Sequence, residues 1–83
     1  MKRYRVLVVD DEPGIRQSLI GVLEDENYDV HAVDSAEACM DEIARHPYDV
    51  VLMDIWLPGL DGLEALHRVQ EIPLQDRPTV VMI

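Results

Sequence analysis

The chain carries a single cysteine, Cys39, so it can form no internal disulfide and has no cysteine pair of the kind that holds zinc. Such usage fits a reducing compartment, and a cytoplasmic location is expected. Basic residues are scarce: 7 Lys and Arg stand against 17 Asp and Glu, a formal net charge of -10 over 83 residues. A surface of that sign repels a polyanion, so nucleic-acid binding by this chain is not expected. No apolar run exceeds about five residues, against about 20 for a membrane helix, and the N-terminus lacks the apolar core of a signal peptide. Membrane insertion and export are therefore not expected. Repeats and low-complexity segments are absent, and the length leaves no room for a second domain, so residues 1–83 are read as one unit.

What remains is an ordinary folding composition, with 48% hydrophobic and 29% charged residues. The cations cluster at the front (Lys2, Arg3, Arg5, Arg16), and from Gln17 onward only Arg45, Arg68 and Arg77 are basic. The acids form no long block, which spreads them over helix faces and strand ends.

Arg5 to Val9 is a short β-branched run closed by two aspartates and reads as a strand buried on both faces. Pro13 suits a first helical turn, and Ile15, Leu19, Val22 and Leu23 form one stripe of a helix reaching about Glu26. Asp29 to Val33 alternates polar and apolar, as an edge strand does. Ser35 is a suitable N-cap for a helix carrying Ala36, Cys39, Met40 and Ile43 that stops near Pro47. Asp49 to Met53 is a third strand and delivers Asp54 at its end. Pro58-Gly59 supplies a type II turn, and Asp61 with Glu64 starts a third helix through Leu63, Leu66 and Val69 to about Gln70. Thr79 to Ile83 is a fourth β-branched run. The alternation of strand and helix predicts an α/β fold with a parallel sheet covered by helices on both faces.

In such a sheet the ligand site lies beyond the C-terminal strand ends, where strand order reverses. With the first strand central and the third beside it, Asp10, Asp11 and Asp54 converge, because neighbouring strands lie about 4.8 Å apart. Crowded carboxylates take up protons or recruit a cation, and Mg²⁺ is the hard ion that suits them. A few-carboxylate site leaves the ion open positions for phosphoryl oxygens, and an aspartate can itself be the nucleophile, which makes Asp54 the candidate. The plainer alternative is that Asp10 or Asp11 caps the first helix. That reading leaves Asp54 unexplained, since it lies too far ahead of the third helix to cap it.

Val8-Val9-Asp10-Asp11-Glu12-Pro13, Asp54-Ile55-Trp56-Leu57-Pro58-Gly59 and Asp61-Gly62-Leu63-Glu64 together resemble the receiver domain of a two-component response regulator. The stretches Asp11 to Leu19 and Leu52 to Glu64 look most like the nitrogen-regulatory type that precedes a sigma-54-activating ATPase module and a DNA-binding domain. The resemblance implies a three-layer α/β/α, flavodoxin-like fold with strand order 2-1-3-4. It implies that Asp54 accepts a phosphoryl group from a sensor histidine kinase, that Asp11 and Asp54 hold Mg²⁺ with Asp10 assisting directly or through water, and that the backbone carbonyl of Trp56 completes the protein ligands. Phosphorylation would then bias a two-state surface governing a transcriptional output, with DNA binding elsewhere in the parent protein, and the chain would be a switch and not an enzyme. The family pattern continues past the fourth strand with a Ser or Thr, a fifth strand followed by Lys, and two helices. None of these is in the sequence, so a truncated receiver is expected, with a homodimer formed through the fourth strand or by swapping.

Two other readings stand beside this one. A pseudo-receiver or interaction module would keep the fold without working chemistry. An aspartate-nucleophile phosphatase is disfavoured, because such enzymes usually carry Asp-x-Asp after the first strand and this chain has Asp10-Asp11-Glu12. Trp56 either gates the acceptor or meets the kinase, or it packs on its own loop. His31, His46 and His67 are read as surface residues, and Cys39, Met40, Met53 and Met82 as core.

Overall fold

A computed structural model of the chain describes residues 3–57 and 62–83. Strand β1 (Arg5–Val9) is the axis of the molecule: Val6, Leu7, Val8 and Val9 are all buried, so both of its faces are covered. Burying each such side chain contributes about 1.5–3 kcal/mol relative to leaving it in water. Helix α1 (Pro13–Asp25) leads to β2 (Asp29–Val33), α2 (Ala36–Arg45) to β3 (Val50–Met53), and α3 (Gly62–Gln70) through a 3₁₀ turn at Leu74–Asp76 to β4 (Thr79–Met82). All strands are parallel, in the order β2-β1-β3-β4. This is the expected flavodoxin-like order.

Handedness explains the layers. The step from β1 to β2 runs one way across the sheet, and the steps from β2 to β3 and from β3 to β4 run the other way. Right-handed crossovers must then put α1 on one face and α2 and α3 on the opposite face. The burial pattern agrees: Leu7, Val9, Val51 and Met53 share a core with Ala36 and Cys39 of α2 and Ala65 of α3. Val6 and Val8 point to the α1 side by the alternation of a strand.

Local signals account for the helix ends. Ser35 caps α2, its Oγ accepting the Ala38 N–H at 3.1 Å. At the end of α1, Asn27 takes a left-handed φ of 69°. The Asn27 N–H then bonds to the Glu24 carbonyl at 2.9 Å and the Tyr28 N–H to the Leu23 carbonyl at 3.1 Å, a Schellman closure in which Asn replaces the usual Gly. Helix α3 is closed by Arg77, whose guanidinium donates to the Gln70 and Ile72 carbonyls at 2.7 and 2.8 Å.

Two expectations need adjusting. The α1 stripe is only partly covered: Leu19 and Leu23 are half-buried, while Ile15 and Val22 are exposed. Periodicity fixes the direction of a helical face but not which strands lie under it, and among the described residues α1 packs mainly on β2 and β1. The N-cap of α1 is Glu12, with no side-chain cap bond, so neither Asp10 nor Asp11 caps that helix. The Pro58-Gly59 turn, the Asp61 start and the Leu63 side chain lie outside the described residues. Among the described residues no helix is long and apolar enough to cross a membrane.

Candidate functional site

Val9 of β1 pairs with Met53 of β3, so the residues that follow, Asp10 and Asp54, leave the sheet at equal height on adjacent strands. The Asp54 N–H donates to the Val9 carbonyl at 2.9 Å and the Asp10 N–H to the Val33 carbonyl at 3.2 Å, which extends the ladders one step into the site. The position is the switch point where the chain turns from β1 toward β2 on one side and toward β3 on the other. Asp10, Asp11 and Asp54 each offer a carboxylate oxygen, and these oxygens all lie within 4.8 Å of one another. The structure thus brings together the acids that the sequence singled out.

Their environments differ. Asp10 is 5% exposed, Asp54 is half-buried and Asp11 is open to solvent. Asp10 Oδ1 accepts the Glu12 N–H at 2.9 Å, and Asp54 Oδ1 accepts the Trp56 N–H at 2.9 Å. In both, a turn amide two residues on orients the carboxylate and leaves the second oxygen free of that bond. Unit charges about 4.8 Å apart repel by about 0.9 kcal/mol in water-like dielectric and about 3.5 kcal/mol at an effective constant of 20. A divalent cation relieves that repulsion, and an all-carboxylate donor set suits a hard ion such as Mg²⁺. The residues present fit such an ion.

Trp56 is 82% exposed and so is not packed down among the described residues of its loop, and Ile55 beside it is also exposed. The histidines are not brought together. His31 lies 3.3 Å from Asp29 and edge-on to Tyr48, His46 caps the end of α2, and His67 is exposed on α3, 3.8 Å from Glu71. Cys39 is fully buried, and that burial, aided by Glu42, pushes its thiol up to about 11.

A feature with no sequence signal lies at the opposite end of the sheet. The Tyr48 hydroxyl donates to Glu42 Oε1 at 2.6 Å, and the Arg5 guanidinium lies 5.0 Å over the Tyr48 ring. Burial, then the bond to Glu42, raises the Tyr48 phenol, and the same bond holds Glu42 below the usual carboxylate range. Glu42 and Tyr48 lie six residues apart across the end of α2 and Arg5 lies on β1, and ordinary helix and strand patterning does not pair them.

The fold and the acid pocket define a phosphoacceptor domain of the two-component signalling type. A family model for the response regulator receiver domain matches residues 6–83, and the chain belongs to that family. It is similar to the nitrogen assimilation regulatory protein NtrX of Azorhizobium caulinodans, 40% identical over 77 residues covering 86% of this chain and 17% of that protein. It is also similar to the transcriptional regulatory protein AruR of Pseudomonas aeruginosa, 52% identical over 71 residues covering 80% of this chain and 29% of that protein. A chain in the crystal structure of histidine kinase ThkA in complex with response regulator protein TrrA superposes with a TM-score of 0.86 at 33% identity, covering 95% of this chain and 66% of that one. The chain therefore spans less than a third of these curated relatives.

Proposed function

We propose that this chain is a phosphorylation switch whose acceptor is Asp54. The observation that carries the proposal is the convergence of Asp10, Asp11 and Asp54 at the topological switch point. With Oδ1 engaged by the Trp56 N–H, Asp54 Oδ2 keeps its lone pairs free for attack on phosphorus. A new O–P bond forms on Asp54 as the P–N bond of a phosphohistidine breaks and the imidazole leaves with the bond pair, giving an acyl phosphate. Asp11, Asp54 and the Trp56 carbonyl would hold Mg²⁺, with Asp10 bound directly or through water. Bound there, the ion would neutralise the acids and the charge developing on the phosphoryl oxygens.

The donor is read as a sensor histidine kinase, supported by the ThkA–TrrA complex among the structural neighbours. The output is read as transcriptional, supported by NtrX and AruR, both named as regulatory proteins. Residues 1–83 are read as one receiver unit. Incubation with acetyl phosphate and Mg²⁺ followed by mass spectrometry tests the chemistry: the chain gains one phosphoryl group and Asp54→Asn gains none. Absence of the adduct in the parent chain, or its presence in the variant, refutes the assignment and leaves a pseudo-receiver.

Self-association through β4 is the second element of the proposal. The Thr79 and Ile83 amides bond to β3, so Val80 and Met82 turn their amides and carbonyls outward, and no described strand lies on that side. Thr79–Met82 carries neither the charge nor the proline that usually guards a strand edge. Light scattering should show a dimer that Val81→Lys, at an exposed position of β4, disperses, and a monomer at high concentration overturns it.

A further inference from the structure

We propose that Arg16 is a positioning residue of the acid pocket, acting through the main chain on either side of Asp11. The inference rests on the reading of that pocket as a divalent-cation site. Asp10 is fastened at three points: its N–H donates to the Val33 carbonyl at 3.2 Å, its Oδ1 accepts the Glu12 N–H at 2.9 Å, and its carbonyl accepts Arg16 Nη1–H at 2.7 Å. The third comes from a side chain in the first turn of α1, and it is short, charge-assisted and partly buried. The Arg16 amide also donates to the Glu12 carbonyl at 3.1 Å. Arg16 therefore grips both neighbours of Asp11, Asp10 with its guanidinium and Glu12 with its backbone.

The physical need for such a clamp follows from the carboxylates themselves. Three acids with oxygens within 4.8 Å push one another apart when no cation lies between them. Asp10 is anchored by the sheet and Asp54 by β3, but Asp11 is exposed, and its direction is set by the turn that carries it. Tying residue 10 through the guanidinium to a residue whose own backbone already holds residue 12 resists that splaying and spares an incoming ion the work of regathering the acids. The charge of Arg16 acts in the opposite sense, since a cation beside the pocket disfavours a second one. The two roles thus predict opposite signs, and orientation by an outer partner is worth about 10-fold or more in metal affinity.

Arg16→Gln and Arg16→Lys are to be compared with the parent chain in two measurements. The first is a Mg²⁺ titration followed by the fluorescence of Trp56, the single tryptophan. The second is amide hydrogen exchange in metal-free protein, contrasting the Glu12 N–H on the Asp10 carboxylate with the Ala38 N–H on Ser35. Arg16→Gln is expected to weaken Mg²⁺ binding about 10-fold and to speed Glu12 exchange about 10-fold with Ala38 changed less than about twofold, and Arg16→Lys to recover part of both. Unchanged or tighter Mg²⁺ binding in Arg16→Gln overturns the proposal, as does equal acceleration at Glu12 and Ala38, which marks general loosening. If the parent chain shows no saturable Mg²⁺ response, the cation-site reading fails, while the Glu12 and Ala38 contrast still decides whether Arg16 holds the turn.

Discussion

Replacing Asp54 by Asn removes one of three crowded charges and keeps an Oδ1 that can accept the Trp56 N–H, so the turn after β3 survives the change. At 4.8 Å each repulsion lies between about 0.9 and about 3.5 kcal/mol, depending on the local dielectric. The exposed Asp11 places its pair near the lower figure, and the buried Asp10 places its pair somewhat higher. Relief of both gives about 2 kcal/mol of added stability in the absence of divalent ions. For a domain of this size 1 kcal/mol moves Tm by about 4–8 °C, so Asn at 54 is expected to melt about 10 °C higher in EDTA at low salt. Mg²⁺ reverses the comparison. A ligand at 100 times its Kd stabilises by about 2.7 kcal/mol, a gain the parent chain takes in full and the variant largely forgoes. Scanning calorimetry with and without Mg²⁺ measures both. A variant that melts below the parent in EDTA, or a gap that Mg²⁺ does not close, would refute the electrostatic account of the pocket.

Two predictions concern titration away from the site. Cys39 is raised from 9.0 to about 11 by burial, so its folded value lies above its unfolded one and its contribution to stability is present below about pH 9 and lost as pH rises through about 11. Urea melts of Cys39→Ala should show a flatter decline over that window than the parent, and an unchanged slope would place the alkaline loss elsewhere. Tyr48→Phe removes the hydroxyl bond to Glu42 and is expected to cost about 1 kcal/mol at neutral pH. It also shrinks both limbs of the stability profile. The raised phenol loses its contribution as pH climbs above 10.0, and the lowered Glu42 loses its contribution as pH falls below 4.5. Limbs identical to those of the parent would show that the Tyr48 bond does not govern these groups.

The strands and helices were legible because their patterns are local. Residues 6–9 and Val50–Met53 are continuous apolar runs, Asp29–Val33 alternates, and Ser35 stands where a cap belongs. The exposure of Ile15 and Val22 was not legible, because it depends on which strands α1 overlies. Nor was the tie from Arg16 to the Asp10 carbonyl, since an arginine in a first helical turn reads as ordinary surface charge until the backbone it reaches is in place. The Tyr48, Glu42 and Arg5 contacts join α2, the loop after it and β1, and no periodicity in one segment announces a partner in another.

The acid pocket was legible for a deeper reason than the identity of its residues. A buried parallel strand ends where its apolar run ends, so the first polar residue after it lies at the rim of the sheet. When two such strands are neighbours in register, those residues share a rim. Val9 opposite Met53 is the whole geometric content of the prediction, and Asp10 and Asp54 follow from it by one step of chain. Inserting one residue into β3 between Leu52 and Met53 would therefore move Asp54 a strand step of about 3.3 Å and turn it to the other face. Mg²⁺ quenching of Trp56 and phosphorylation by acetyl phosphate should both disappear in a chain whose far-ultraviolet circular dichroism still reports the α/β fold. Survival of either in a folded insertion variant would mean that strand register does not make the site.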